Sequence, residues 1–290
     1  MQENKEISAL FTLIDDPDED IFTTVSDRIV NYGRGIIPNL ENLWENSPCE
    51  EVQERIEMII HRLHYSDLMH DLTEWRDSAY HDLLFGALLV AKFQYPDLQT
   101  TPVILEIEKM RRNVWLELNS FLTPLEHANV ISSIVYNYYN LKGVERSYSN
   151  PDDYFLHKVV QCKKGNSVSN GILYLILADL LDIPVKAINV PRQFVLAFFN
   201  SDYDPAIHRG NPKQYIQFYV DATNGQAFTQ KDVENYLTRN NFESYPYYFK
   251  PMSNLQIIQM LIQELINCFN APHVKYKKQE LKDLCELLEH

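Results

Sequence analysis

Lys163-Lys164-Gly165-Asn166-Ser167-Val168-Ser169, with the run that continues to Leu181, is the stretch on which the fold turns. Its first five residues are a turn signal. From Ser167 onward the chain reads as a strongly apolar, buried helix through Ile172, Leu173, Leu175, Ile176, Leu177 and Leu180. Runs rich in β-branched and aromatic residues follow at 185–190, 194–199 and 215–220, and these read as strands. A polar loop holding Asp204, Pro205, His208, Gly210 and Pro212 separates the last two. Asn224-Gly225 makes a tight turn after the third.

Upstream, the chain reads as helices. Asp15-Asp16-Pro17-Asp18-Glu19-Asp20 is an acidic helix start, and Ile21, Phe22, Val25, Ile29 and Val30 follow at helical spacing. Gly33 and Gly35 stop that helix, and Pro38 opens another through Leu40, Leu43 and Trp44. The pair resembles one HEAT-type repeat, with no further copies at a fixed period. More helices are expected at 52–63, 79–93, 102–118, 124–139 and 151–162, with Pro96, Pro124 and Pro151 at boundaries. Downstream, an amphipathic helix runs through Leu255, Ile258, Leu261, Ile262, Leu265 and Phe269, and a last one covers 277–287. The expectation is an α+β protein: a mostly helical region over 1–150, a core with a small antiparallel sheet over 151–250, and C-terminal helices over 251–287. Leu288-Glu289-His290 looks like the start of an engineered histidine tag.

Composition narrows the function classes. Hydrophobic residues make up 45% and charged ones 23%, as in ordinary globular proteins. The net charge of -14 repels phosphate backbones and anionic headgroups, and the densest basic stretch, Lys275 to Lys278, is short. No run approaches the roughly 18 apolar residues of a membrane span. Met1 to Ala9 is polar and charged where a signal segment would be apolar. The expectation is a cytoplasmic protein that binds neither nucleic acid nor membrane. Cys49, Cys162, Cys268 and Cys285 are scattered without a CxxC pair, so neither a zinc knuckle nor a disulfide framework is indicated. His61, His64 and His70, with Asp67 and Asp71 between them, form no compact ligand signature and read as a solvated helix face. No metal and no cofactor are expected.

A buried helix after a Gly turn, a strand, a second strand after Pro191 and a third ending in Asp221 together resemble the core of the transglutaminase-like superfamily, which shares the papain-type fold. The likeness is closer to its SirB-related branch. It is carried by Gly165-Asn166-Ser167-Val168-Ser169, Leu173-Tyr174-Leu175, Leu181-Asp182-Ile183-Pro184, Val190-Pro191-Arg192-Gln193-Phe194-Val195-Leu196 and Val220-Asp221-Ala222-Thr223-Asn224-Gly225, and more loosely by Lys92-Phe93-Gln94-Tyr95-Pro96-Asp97-Leu98 and 255–265. The resemblance implies a Cys at the helix start, a His opening the second strand and an Asp ending the third. Ser167 stands at the Cys position, Gln193 at the His position, and Asp221 keeps the acid. A glutamine cannot take a proton near neutral pH, and a serine needs a stronger base than a cysteine does. Losing members of such a triad costs on the order of 10⁴-fold or more.

Ser167, Gln193 and Asp221 are therefore expected to form a degenerate triad in a non-catalytic module that binds a protein or peptide partner or acts as a regulator. The alternative is a hydrolase or acyl-transfer enzyme using Ser167 or Ser169 with Asp221 and a recruited His208. Each residue also has a plainer reading: Ser167 and Ser169 as helix caps, Asp221 as a turn residue, Cys162 as a structural thiol. The aromatic run Tyr236, Phe242, Tyr245, Tyr247, Tyr248 and Phe249 either lines a peptide groove or packs the last helices onto the core.

Overall fold

The computed structural model describes residues 2–204, 207–208, 210–271 and 275–289; Pro205 of the polar loop and His290 lie outside the described residues. Two units, Met1–Glu74 and Trp75–His290, each hold their own contacts.

The first unit contains α1 (Gln2–Thr12), α2 (Glu19–Val30), α3 (Ile37–Asn46) and most of α4 (Glu50–Asp77). Asp18 caps α2 by accepting from the Asp20 N–H, and Gly33 takes a φ of 73° in the turn that ends the helix. Phe22, Val25, Ile29, Leu40, Ile56 and Ile59 form its buried cluster. Helix α4 runs well past the expected end at 63, because no Gly or Pro interrupts the chain and Leu68, Leu72 and Trp75 keep a sparse buried stripe.

In the second unit, α5 (Leu83–Lys92), α6 (Thr100–Glu117) and α7 (Pro124–Ser132) precede a π-helical turn at Ser133–Tyr138. The expected single helix over 124–139 is thus two kinds of winding. Strand β1 (Lys142–Gly143) pairs in parallel with β2 (Lys164–Gly165), bracketing α8 (Leu156–Cys162). Helix α9 (Ser167–Asp179) is buried continuously from Val168 to Ala178. It packs on α5, α8 and the sheet. Its apolar composition around the whole circumference is what a helix in that position requires.

The sheet has the order β3 (Val185–Val190), β4 (Gln193–Phe199), β5 (Ile216–Val220), β6 (Ala227–Phe228), antiparallel throughout. Val190 pairs with Gln193, so Pro191-Arg192 is a two-residue hairpin turn, and Leu196 pairs with Val220. Gly171 lets α9 approach β4: a Cβ there would lie 2.5 Å from the Phe194 ring. Helix α10 (Gln230–Arg239) follows the sheet, and α11 (Asn254–Ile266) and α12 (Lys275–Leu287) end the chain. The architecture is α+β, mostly helical with one small antiparallel sheet. Among the described residues, no helix is long and apolar enough to cross a membrane.

Candidate functional site

Three separate elements bring Ser167, Gln193 and Asp221 to one cleft of about 510 Å³. Ser167 is the first residue of α9, Gln193 the first of β4, and Asp221 directly follows β5. Val190, Phe194 and Val233 supply apolar wall, and Arg146, Arg192 and Tyr236 add polar groups.

The start of α9 is held by Asn166 and Ser169. Asn166 Oδ1 accepts from the N–H groups of Val168 (2.9 Å) and Ser169 (3.1 Å), and Ser169 Oγ accepts from the Asn166 N–H (3.1 Å). The Ser169 hydroxyl also donates to the Asp153 carbonyl (2.6 Å). This is a reciprocal capping box, and it fixes Ser169 in the interior. Ser167 is only half-buried and lines the cleft. Its Oγ lies 3.4 Å from Arg146 Nη2, and Arg146 Nη1 lies 3.3 Å from Glu264 Oε1 on α11.

Asp221 sits in a tied turn. Its Oδ1 accepts from Thr223 N–H (2.8 Å) and Thr223 Oγ1–H (2.7 Å), and its carbonyl accepts from the Gly225 N–H (2.7 Å), where φ is +74°. Gln193 is exposed at the end of the hairpin. Arg192 takes a φ of +63° there, unusual for a residue with a side chain, and its guanidinium lies 5.6 Å from the centre of the Phe242 ring.

His208 sits elsewhere. It packs on Tyr203 and Tyr215, its Nδ1 is 3.0 Å from the Asp204 N–H, and it is not part of the cleft lining. Cys162 is exposed at the end of α8. Burial, with Glu264 and Asp153 nearby, pushes the Cys268 thiol up to about 12, so it holds its proton at neutral pH. His61, His64 and His70 all lie on α4, and no group of three metal-ligating side chains assembles among the described residues. The aromatic run divides: Phe249 is buried with Val190, Tyr219 and Leu237, Tyr236, Phe242 and Tyr248 pack against that cluster, and Tyr245 and Tyr247 are exposed. Tyr236 also lines the cleft and donates to the Pro191 carbonyl at 2.9 Å.

Arg146 is the group that the sequence reading passed over. It lies in a short polar segment with no periodicity, and its pairing with Glu264 spans 118 residues of chain, so no local signal marks it.

A family model described as the transglutaminase-like superfamily matches residues 101–263. The chain belongs to the transglutaminase-like superfamily. Within it, a UPF0162 protein of Buchnera aphidicola is 23% identical over 199 residues, covering 68% of this chain and 69% of that protein. Protein SirB1 of Salmonella typhimurium is 25% identical over 111 residues, 38% of this chain and 41% of its own length. F-box only protein 21 of Mus musculus is 24% identical over 160 residues, 55% of this chain but 24% of that longer protein. These likenesses support the SirB-related branch of the transglutaminase-like superfamily. No solved structure matches the chain.

Proposed function

We propose that this is a non-catalytic transglutaminase-like protein whose cleft binds a protein or peptide partner. The observation that carries this reading is the neighbour of the Ser167 hydroxyl, a guanidinium. Arginine donates hydrogen bonds and cannot accept a proton, so Arg146 gives Ser167 no general base. Gln193 and Asp221 do not replace one: an amide is not basic near neutral pH, and among the described residues no hydrogen bond joins the Asp221 carboxylate to the Ser167 hydroxyl. What the cleft does offer is hydroxyl, amide, carboxylate and guanidinium groups set among Val and Phe side chains, a lining that suits a backbone with alternating N–H and C=O groups. The net charge of -14 argues for a protein partner over a nucleic acid or an anionic membrane surface.

The test has two arms. A photo-crosslinking amino acid placed at Phe228, on the cleft wall, is expected to capture a partner that the same group placed at exposed Leu105 does not. A fluorophosphonate probe is expected to leave the protein unlabelled. Labelling that disappears in Ser167→Ala would overturn the non-catalytic reading and restore a serine hydrolase.

A further inference from the structure

We infer that the cleft is built to take the free C-terminus of a peptide, with its carboxylate on Arg146 and Arg192. This rests on the reading of the cleft as a peptide site and adds which part of the peptide enters.

Donors come first. Arg146 is anchored by Glu264 and reaches Ser167 Oγ at 3.4 Å. Because a guanidinium only donates, the serine oxygen accepts, and the serine's own hydrogen is left for a ligand. Arg146 and Ser167 thus present N–H and O–H together. Arg192 lines the same cleft, and among the described residues it has no ion pair with a carboxylate; its guanidinium lies over the Phe242 ring. Its positive φ belongs to the Pro191-Arg192 turn, which sets the Arg192 side chain at the tip of the β3–β4 hairpin. Two guanidinium groups on one lining suit an oxyanion with two acceptor atoms.

Acceptors share the lining. Asp221 has Oδ1 tied to Thr223, while its Oδ2 has no hydrogen bond among the described residues, and Gln193 is exposed with an amide oxygen. Asp232 also lines the cleft, but its Oδ2 is taken by the N–H and hydroxyl of Thr229, and Glu145 is exposed. A ligand that meets these groups carries a carboxylate and, close by, N–H donors. A peptide C-terminus has both on its last residue. An Asp or Glu side chain puts flexible carbons between its carboxylate and the nearest N–H, and it needs chain on both sides. A cleft of about 510 Å³ is in the range for a few residues rather than a long segment. Phe194, Val190 and Val233 give the terminal side chain an apolar seat.

Three probes separate the cases: N-acetyl-alanyl-alanyl-valine, the same tripeptide as its C-terminal amide, and N-acetyl-aspartate N-methylamide. Each is titrated at about 0.1 M salt into the full-length protein while the arginine Nε–Hε and backbone N–H signals are followed by NMR. The free-acid peptide is expected to shift the Arg146, Arg192 and Ser167 signals saturably, with both other probes at least about 10-fold weaker, the effect of losing a hydrogen-bonded charge. Arg192→Gln, an exposed replacement, is expected to weaken the free acid by about the same factor and leave the amide unchanged. If the amide binds within about twofold of the acid at the same signals, the C-terminus inference is wrong while peptide binding in the cleft stands. Equal binding of the aspartate probe also overturns it, in favour of acidic side chains. If no probe moves any cleft signal the inference fails, and the crosslinking arm above decides separately whether the cleft binds a partner at all.

Discussion

Ser167 lies where a guanidinium and a helix start meet, and the same surroundings would act strongly on a thiol. In a Cys49→Ser, Cys162→Ser background, which removes the two exposed thiols, Ser167→Cys is expected to titrate below the roughly 8.5 of an ordinary cysteine, because Arg146 and the α9 N–H groups both favour the thiolate. The pH dependence of iodoacetamide alkylation measures it; a midpoint at or above that value would mean that Arg146 does not act on this position. His157 makes a second prediction. It is buried, its Nδ1 has no partner among the described residues, and the Tyr95 ring stands edge-on at 4.7 Å. Burial first, and then the Lys158 charge, push its pKa down to about 4, with Asp152 opposing in part. The unfolded chain binds a proton there near 6.5, so between about 6.5 and 4 the unfolded state holds more protons and the native state loses stability as pH falls. In His157→Phe that loss is absent. The melting temperature of the variant relative to the parent is expected to rise as pH goes from 7 to 4.5, and a constant difference would show that His157 protonates freely in the fold.

At the scale of elements, the two serines of α9 separate. Ser169→Ala removes both the reciprocal cap and the bond to the Asp153 carbonyl, and is expected to cost about 1–2 kcal/mol in urea unfolding. Ser167→Ala loses one long contact and is expected to stay within about 0.5 kcal/mol. Equal costs would mean that the cap does not hold the helix start. Helix α9 was legible in the sequence because an apolar run after a Gly-Asn turn has few other outcomes, and β3, β4 and β5 were legible from their Val, Ile, Phe and Tyr content, whereas the two-residue strands β1, β2 and β6 were too short to leave a signal. Helix α10 was not legible: Val233, Tyr236 and Leu237 make an apolar stripe only one turn long, and its capping pair uses Asp232 rather than a longer acid. The Ser133–Tyr138 turn was not legible either, since one widened turn leaves the hydrophobic spacing of 124–139 nearly helical.

Across the whole molecule, the cleft's motif positions followed from the resemblance to the transglutaminase-like core, but the Arg146–Glu264 pair beside Ser167 left no signal in the sequence. Arg146 and Glu264 lie 118 residues apart in the chain, and only the tertiary fold brings them together. The contacts also group into two units whose boundary falls inside α4, a division that a continuous helix conceals from the sequence. The first unit has its own buried cluster, drawn from residues up to Leu63, and Ile56 is a member of it with no exposed surface. If that cluster is what stabilises the unit, Ile56→Ala opens a cavity there, costing about 2–5 kcal/mol, and leaves the packing around α9 untouched. Labelling the protein with 5-fluorotryptophan gives each unit a reporter: Trp44 donates to Glu57 in the first, and Trp75 donates to the Asp82 carbonyl in the second. In Ile56→Ala the Trp44 signal is expected to lose its native position at lower urea than in the parent, while the Trp75 midpoint stays where it was. Should both midpoints move together, the chain unfolds as one cooperative body and its stability belongs to neither cluster alone.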